Sequence, residues 1–207
     1  MTDLRAQAAA ALRSLGEDYL DHVTTAEIEA EILATVDRLR ARIAPTPRLV
    51  RDNGAFAARI VTETADGDAL SHYDECCIDG THNPFALRIA FVRDGERVRA
   101  RARFTRPYEG PTGRVHGGAI AACYEDVLGY QLTLRRRVGY MVTLSIEFLH
   151  ATPLDRDVEF SSEVLKTDGD RLHVVGECRA GDVVTTRAHG VLAMVPTERF
   201  RPFRPAD

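Results

Sequence analysis

One long apolar segment, residues 117–134, lies between stretches that alternate in the manner of β-strands, and this order restricts the possible folds most. The segment is long enough for a helix of five turns. Before it, residues 86–92 and 97–105 are predicted as two strands around an Asp94-Gly95 turn. After it come three strand-like stretches: 140–150, 158–167 and 171–195, the last with a hairpin turn at 180–182. The order predicts an α+β domain in which one apolar helix lies against a curved antiparallel sheet.

The N-terminal part of the chain has a different, helical pattern. Residues 3–22 are rich in alanine and leucine, and residues 26–43 carry an apolar stripe at helical spacing. Thr24 and Glu27 have the spacing of a capping box at the start of the second helix. We therefore predict a helical arm over residues 1–47 and a main domain over 48–207, with residues 48–85 mostly irregular.

Composition excludes several classes of function. The 207 residues carry a formal net charge of −4, which does not favour binding to nucleic acid or to an anionic membrane. The longest apolar runs are too short to span a bilayer, and no signal-peptide pattern is present. We expect a soluble cytoplasmic protein whose four cysteines are reduced thiols.

Known catalytic and metal-binding patterns are also missing from the sequence. It contains no G-x-S-x-G motif, phosphate loop or dinucleotide fingerprint. Its histidines and cysteines lack the spacing of metal ligands, so we expect no metal site.

The segment that indicates chemistry is residues 113–129. Gly117 and Gly118 begin the long helix, where free backbone amides lie at the positive end of the helix dipole. Such a site favours a carbonyl oxygen that becomes negative during acyl transfer. Two turns later Glu125 lies on the same helix face as Gly118, among small residues that leave room for a thin substrate.

These residues resemble a known family. His116-Gly117-Gly118 with an acidic residue nine positions after the histidine resembles the signature of the phenylacetate-pathway (PaaI-like) hotdog thioesterases. The loop 108–113 and the tail 127–129 resemble actinobacterial members. Further similar segments are Asn83-Pro84 and residues 148–153. The resemblance, over about residues 70–195, implies a hotdog fold: a long central helix wrapped by a curved antiparallel sheet, here with an N-terminal helical extension.

The resemblance also implies roles for individual residues. The amide of Gly118 would polarise a thioester carbonyl, Glu125 would attack it or activate water, and His116 would help to hold the thioester and the loop. The site would form across a homodimer, Glu125 of one subunit facing Gly118 of the other. Thr143 would orient the water, although Met141 fits that spacing equally well. Residues implied to contact the substrate are Gly117, Gly110, Asp126, Met141 and Arg114.

The implied reaction is hydrolysis of an acyl-CoA thioester to a carboxylic acid and CoA. Coenzyme A is part of the substrate, and no further cofactor is implied. Direct attack by Glu125 through an anhydride and water activation are both compatible with the sequence. Acyl-chain preference, carrier-protein substrates and pairing of dimers into tetramers stay open.

The sequence departs from the family at three positions. The family usually has aspartate where Glu125 stands, often followed by glutamate, so Asp126 could take the catalytic role, although Glu125 is preferred. Otherwise Asp126 is expected to bind an N–H group or an arginine. Gly110 occupies the place of an asparagine found in many relatives, so a side-chain contact to the substrate is expected to be missing. For the water-orienting role, Met141 fits the spacing at least as well as Thr143.

Two other functions fit the same residues. A hydratase or dehydratase acting on acyl thioesters would use His116 and Glu125 as an acid–base pair. A non-catalytic acyl-CoA-binding module would need neither.

Overall fold

The computed structural model describes residues 3–50, 56, 58–60 and 62–196. The long helices within these residues are α1 (Leu4–Asp21), α2 (Ala26–Ile43) and α3 (Gly117–Leu134). The strands are β1 (Ala69–Leu70), β2 (Ile89–Asp94), β3 (Arg97–Arg103), β4 (Val138–Phe148), β5 (Asp157–Asp168), β6 (Arg171–Ala180) and β7 (Val183–Val195). A 3-10 turn, Arg106–Tyr108, precedes α3. The predicted bounds of α3 are confirmed, and the predicted strands differ from the observed ones by a few residues at their ends.

The strands form a seven-stranded sheet in the order β1-β2-β3-β5-β6-β7-β4, and every neighbouring pair is antiparallel. Bulges interrupt β4, β5 and the β6–β7 pair, and each bulge adds bend and twist to its strand. The sheet therefore curves around α3, which lies on one face of it. This confirms the predicted architecture of one helix against a curved antiparallel sheet.

One face of α3 is buried against the sheet. Its members are at most 2% exposed: Ile120, Tyr124, Val127, Leu128 and Gln131. The two polar side chains on this face have partners on the strands. The Tyr124 hydroxyl donates to the Thr186 carbonyl at 3.0 Å, and Gln131 Nε2 donates to the Ser162 carbonyl at 2.8 Å. Apolar burial and satisfied polar groups together fix the rotation of α3 on the sheet.

The two helices of the N-terminal arm differ in their contacts. Helix α1 is attached to the main domain through Glu17, which accepts hydrogen bonds from Arg88 and from the Thr105 hydroxyl, both at 2.9 Å. Helix α2 has no buried residue. Its cap differs from the prediction, because Thr25 is the N-cap while the Thr24 hydroxyl bonds to Glu29. No helix among the described residues is long and apolar enough to cross a membrane.

Candidate active site

The second face of α3 borders a cavity of about 600 Å³. The helix contributes Ala122, Glu125, Asp126, Gly129 and Thr133 to its lining. The facing walls come from the start of β4 and from residues 72–78, a turn-rich segment that lies before β2. Aromatic rings form one end, where Phe56 stacks on Tyr73 with ring centroids 4.4 Å apart. The cavity therefore joins an apolar chamber to a pair of adjacent carboxyl groups, as expected of a ligand site.

The two adjacent carboxyl groups have opposite environments. Glu125 is exposed on the wall of the cavity, whereas Asp126 is turned toward residues 72–79 and largely buried. Burial, the charge of Glu125 and the proximity of Asp79 raise the pKa of Asp126 to about 8. Asp126 is therefore mainly uncharged at neutral pH.

Asp126 belongs to a compact group with Cys76, Asp79 and Tyr130, which we call the cavity floor. The Cys76 thiol donates to Asp126 Oδ2 at 3.6 Å, and the Tyr130 hydroxyl donates to Asp79 Oδ2 at 3.0 Å. Burial raises the pKa of Cys76 and of Tyr130, so both groups keep their protons. The partners of Asp126 among the described residues are a thiol and other acids, rather than the N–H group or arginine expected from the sequence.

The spacing within the cavity floor bears on metal binding. One ligand atom each of Cys76, Asp79 and Asp126 lies within 4.8 Å of the other two, close enough to bind one cation. A thiol whose pKa is raised by burial is in the protonated form, which binds metals poorly. The sequence-based expectation of no metal stays a prediction.

The start of α3 is built around His116. Its Nδ1 accepts a hydrogen bond from the Gly118 amide at 2.9 Å, so the imidazole caps the helix. A Cβ atom on Gly118 would lie 3.0 Å from this Nδ1, and one on Gly110 would lie 3.0 Å from His116 Cα. Gly110 is therefore needed for close contact with His116, and the larger asparagine of the relatives would not fit this loop without a shift. The Gly117 amide has no hydrogen-bond partner among the described residues.

Strand β4 places Met141 and Thr143, the two candidates for orienting the water, on different faces of the sheet. Met141 lines the cavity and pairs with the buried Leu192, whereas Thr143 pairs with Val191. The bulge at Val142 causes this change, because one extra residue reverses which face the following side chains occupy. Thr143 thus lies on the face opposite the cavity, and its role in orienting water stays a prediction without a contact to Glu125 within the chain.

Among the cationic side chains, only some are available to a ligand. Arg135 bonds to Gln131 Oε1 at 2.7 Å, and Arg136 pairs with Glu63 at 2.6 Å. Arg137 lines the cavity and Arg114 is exposed near the start of α3, and neither has an ion-pair partner among the described residues. Arg137 is therefore the cation that is positioned at the cavity.

The structure brings together only part of the predicted site. Glu125, Asp126 and Met141 meet at the cavity, whereas the cavity lining within the described residues includes none of His116, Gly117, Gly118, Gly110, Arg114 and Thr143. Gly118 and Glu125 lie on the same face of α3 but about 10 Å apart along its axis. Sequence reasoning missed the cavity floor, for which the only available signal was the four-residue spacing of Asp126 and Tyr130.

Comparisons with known proteins agree with this architecture. Residues 112–186 match the family model described as the thioesterase superfamily. A crystal structure of a thioesterase superfamily protein is 22% identical, with a TM-score of 0.75 over 91% of this chain and 90% of that chain. The PaaI protein from the phenylacetic acid degradation operon of E. coli is 12% identical, with a TM-score of 0.50 over 53% of this chain and 81% of that chain. No curated protein matches the sequence. The predicted hotdog fold, with its N-terminal helical extension, is confirmed.

Proposed function

We propose that the protein is a thioesterase that hydrolyses an acyl-CoA to the free acid and CoA, with Glu125 as its catalytic carboxylate. The observation that carries the proposal is the position of Glu125. It lies in the middle of the central helix of a hotdog domain, exposed on the wall of the cavity, within the segment that matches the thioesterase superfamily. The mainly apolar lining suits an acyl chain, and the carboxylate suits a base or nucleophile.

The second half of the proposed site is the start of α3. Backbone amides at the N-terminus of a helix stabilise a carbonyl oxygen that gains negative charge. Gly118 can donate to this oxygen when His116 Nδ1 releases its amide, and the neighbouring Gly117 amide is without a protein acceptor among the described residues. Arg137 and Arg114 are the cations that we assign to the phosphates of CoA.

The distance between the two halves supports a site formed across a homodimer. Gly118 and Glu125 of one chain are about 10 Å apart along the helix, too far for both to act directly on one carbonyl group. Strand β4 is a long edge strand that carries exposed apolar side chains, with Val142 52% and Phe148 56% exposed. A second copy that pairs along this edge would cover these side chains. We assign the homodimer on this basis.

The rival hydratase chemistry has less support. It would need His116 as the acid–base partner of Glu125, whereas His116 Nδ1 accepts the hydrogen bond of the Gly118 amide and caps the helix.

The test is thiol release from a panel of acyl-CoA thioesters, from acetyl through medium- and long-chain to phenylacetyl. Wild type should hydrolyse part of the panel, and Glu125→Ala should lose this activity while it stays folded. Asp126→Ala serves as the neighbouring control. If Asp126→Ala alone abolishes turnover, the thioesterase stands and the assignment of the carboxylate is wrong. If folded wild type cleaves no thioester, the proposed activity is wrong.

A further inference from the structure

The cavity floor is supplied by two parts of the chain that are distant in sequence. Asp126 and Tyr130 come from α3, within the segment that matches the thioesterase superfamily, and Cys76 and Asp79 come from a segment outside it. The floor encloses the carboxyl group of Asp126 and leaves that of Glu125 on the wall. The two adjacent acids therefore have different environments, which favour different protonation states.

The donors and acceptors of the floor are fixed by geometry. The Cys76 thiol and the Tyr130 hydroxyl each donate one hydrogen bond, to Asp126 and to Asp79 respectively. Asp79 Oδ1 is buried and has no hydrogen-bond partner among the described residues. The floor therefore contains more acceptor oxygens than donors, and a proton on one of the two carboxyl groups would relieve both the deficit and the repulsion between them.

The surroundings of Asp126 favour this distribution of charge. Titratable groups beside Asp126 are Cys123, Glu125 and Tyr130 on α3, and Cys76 and Asp79 on the 72–79 segment. His72, Arg137 just before β4 and Tyr140 on β4 line the same cavity. Burial lowers the pKa of His72 to about 4, so His72 is neutral and supplies no positive charge. Among the described residues that line the cavity, Arg137 alone is permanently cationic, and it is exposed rather than in the floor.

We infer that Asp126 is a positioning residue for Glu125: the cavity floor encloses the Asp126 carboxyl group in its uncharged form, so that no second anion adjoins Glu125 on the cavity wall. The inference rests on the proposed function, in which Glu125 is the working carboxylate. When Asp126 loses its proton at alkaline pH, a second anion adjoins Glu125 and repels the negative charge that develops on the carbonyl oxygen. The turnover number kcat then falls.

The experiment compares pH profiles of kcat and KM for wild type, Asp126→Asn and Glu125→Gln on the best substrate of the panel. Asparagine mimics the uncharged aspartic acid in shape. Asp126→Asn should therefore retain kcat at neutral pH within about tenfold, keep KM nearly constant and lose the alkaline decline that wild type shows near pH 8. Glu125→Gln should be inactive at every pH.

Substitutions at Cys76 give a second, signed readout. The thiol donates to Asp126 and so stabilises its charged form. Cys76→Ala should move the alkaline decline to higher pH, whereas Cys76→Ser, a stronger donor, should move it to lower pH. A purely structural role would change the amount of folded protein without these opposite shifts.

A third readout does not need activity. The infrared band of a protonated, dehydrated carboxyl group should be present at pH 7 in wild type and absent in Asp126→Asn. Persistence of the alkaline decline or of this band in Asp126→Asn overturns the inference, as does a loss of turnover equal to that of Glu125→Gln. If wild type hydrolyses no thioester, the proposed function fails, and the infrared band still decides where the proton lies.

Discussion

The two faces of α3 follow different physical rules. The sheet face, Ile120, Tyr124, Val127, Leu128 and Gln131, is dry, closely packed and satisfied in its hydrogen bonds. The cavity face, which includes Glu125 and Asp126, places two acids side by side and leaves a buried oxygen of Asp79 without a partner among the described residues. Adjacent acids and an unpaired buried oxygen both destabilise a fold, and such arrangements are typical of functional sites. We therefore expect substitutions on the sheet face to change mainly the stability, and substitutions on the cavity face to change mainly the activity.

The largest expected effect is on activity, from the cavity face. Glu125→Gln should lower kcat/KM for thioester hydrolysis by about 10²- to 10⁴-fold, because it removes the base or nucleophile but keeps the shape. The free energy of unfolding should change by less than about 0.5 kcal/mol, because Glu125 is exposed. Thiol release and urea unfolding check the two quantities. Glu159→Gln, on the exposed face of β5, is the matched control, and an equal loss of activity there would contradict the comparison.

The next effect is on stability, from the sheet face. The two methyl groups of Leu128 lie over Gly176 and Gly190, where an added Cβ would be 3.0 and 2.8 Å away. Leu128→Ala leaves a cavity above both glycines and should cost about 2–5 kcal/mol in urea unfolding. The kcat of the folded fraction should stay within a few-fold of wild type. A loss of kcat comparable to that of Glu125→Gln, in protein that is still folded, would show that the two faces are not separable.

The bounds of α3 and the strand order were predictable because both depend on local periodicity. The segment 117–134 is apolar throughout, and the strands alternate around turns such as Gly181, which adopts a φ of +59°. Glu125 was selected for a different reason, its spacing from His116, and its catalytic role stays a prediction. The cap of α2 was assigned one residue too early, since adjacent threonines offer two equivalent patterns.

The cavity floor was not predictable, because it depends on contacts between residues far apart in the chain. Cys76 and Asp126 are 50 residues apart, and the segment that carries Cys76 has no regular pattern. The position of Thr143 also escaped prediction, since a bulge reverses the alternation of β4 without any change in its composition. The close approach of Gly110 to His116 likewise depends on how the loop folds back on the start of α3.

Asp126, on the cavity face, should also make the free energy of unfolding depend on pH. The pKa of Asp126 is raised by burial to about 8 from its ordinary 3.8, so the folded state holds a proton that the unfolded chain releases. The free energy of unfolding should therefore fall as pH rises from about 4 to about 8, because the folded state binds more protons in this window. Asp126→Asn should reduce the fall between pH 5 and pH 9 by about 4 kcal/mol. Urea titrations across pH measure this change, with Glu159→Gln as the control, and an unchanged slope in Asp126→Asn would place the proton elsewhere.

The smallest expected effect concerns binding at the mouth of the cavity. Arg137 is exposed, so its contact with a CoA phosphate would be worth at most about 1 kcal/mol, and Arg137→Gln should raise KM by about two- to fivefold. KM for the corresponding pantetheine thioester, which lacks the nucleotide phosphates, should not change. Arg136→Gln is the matched control, because Arg136 is paired with Glu63 at 2.6 Å and should affect neither substrate. An equal rise of KM for both thioesters would mean that Arg137 contacts the part of the substrate that the two thioesters share, inside the cavity. The residues that bind substrate would then include the start of β4 as well as the cavity face of α3.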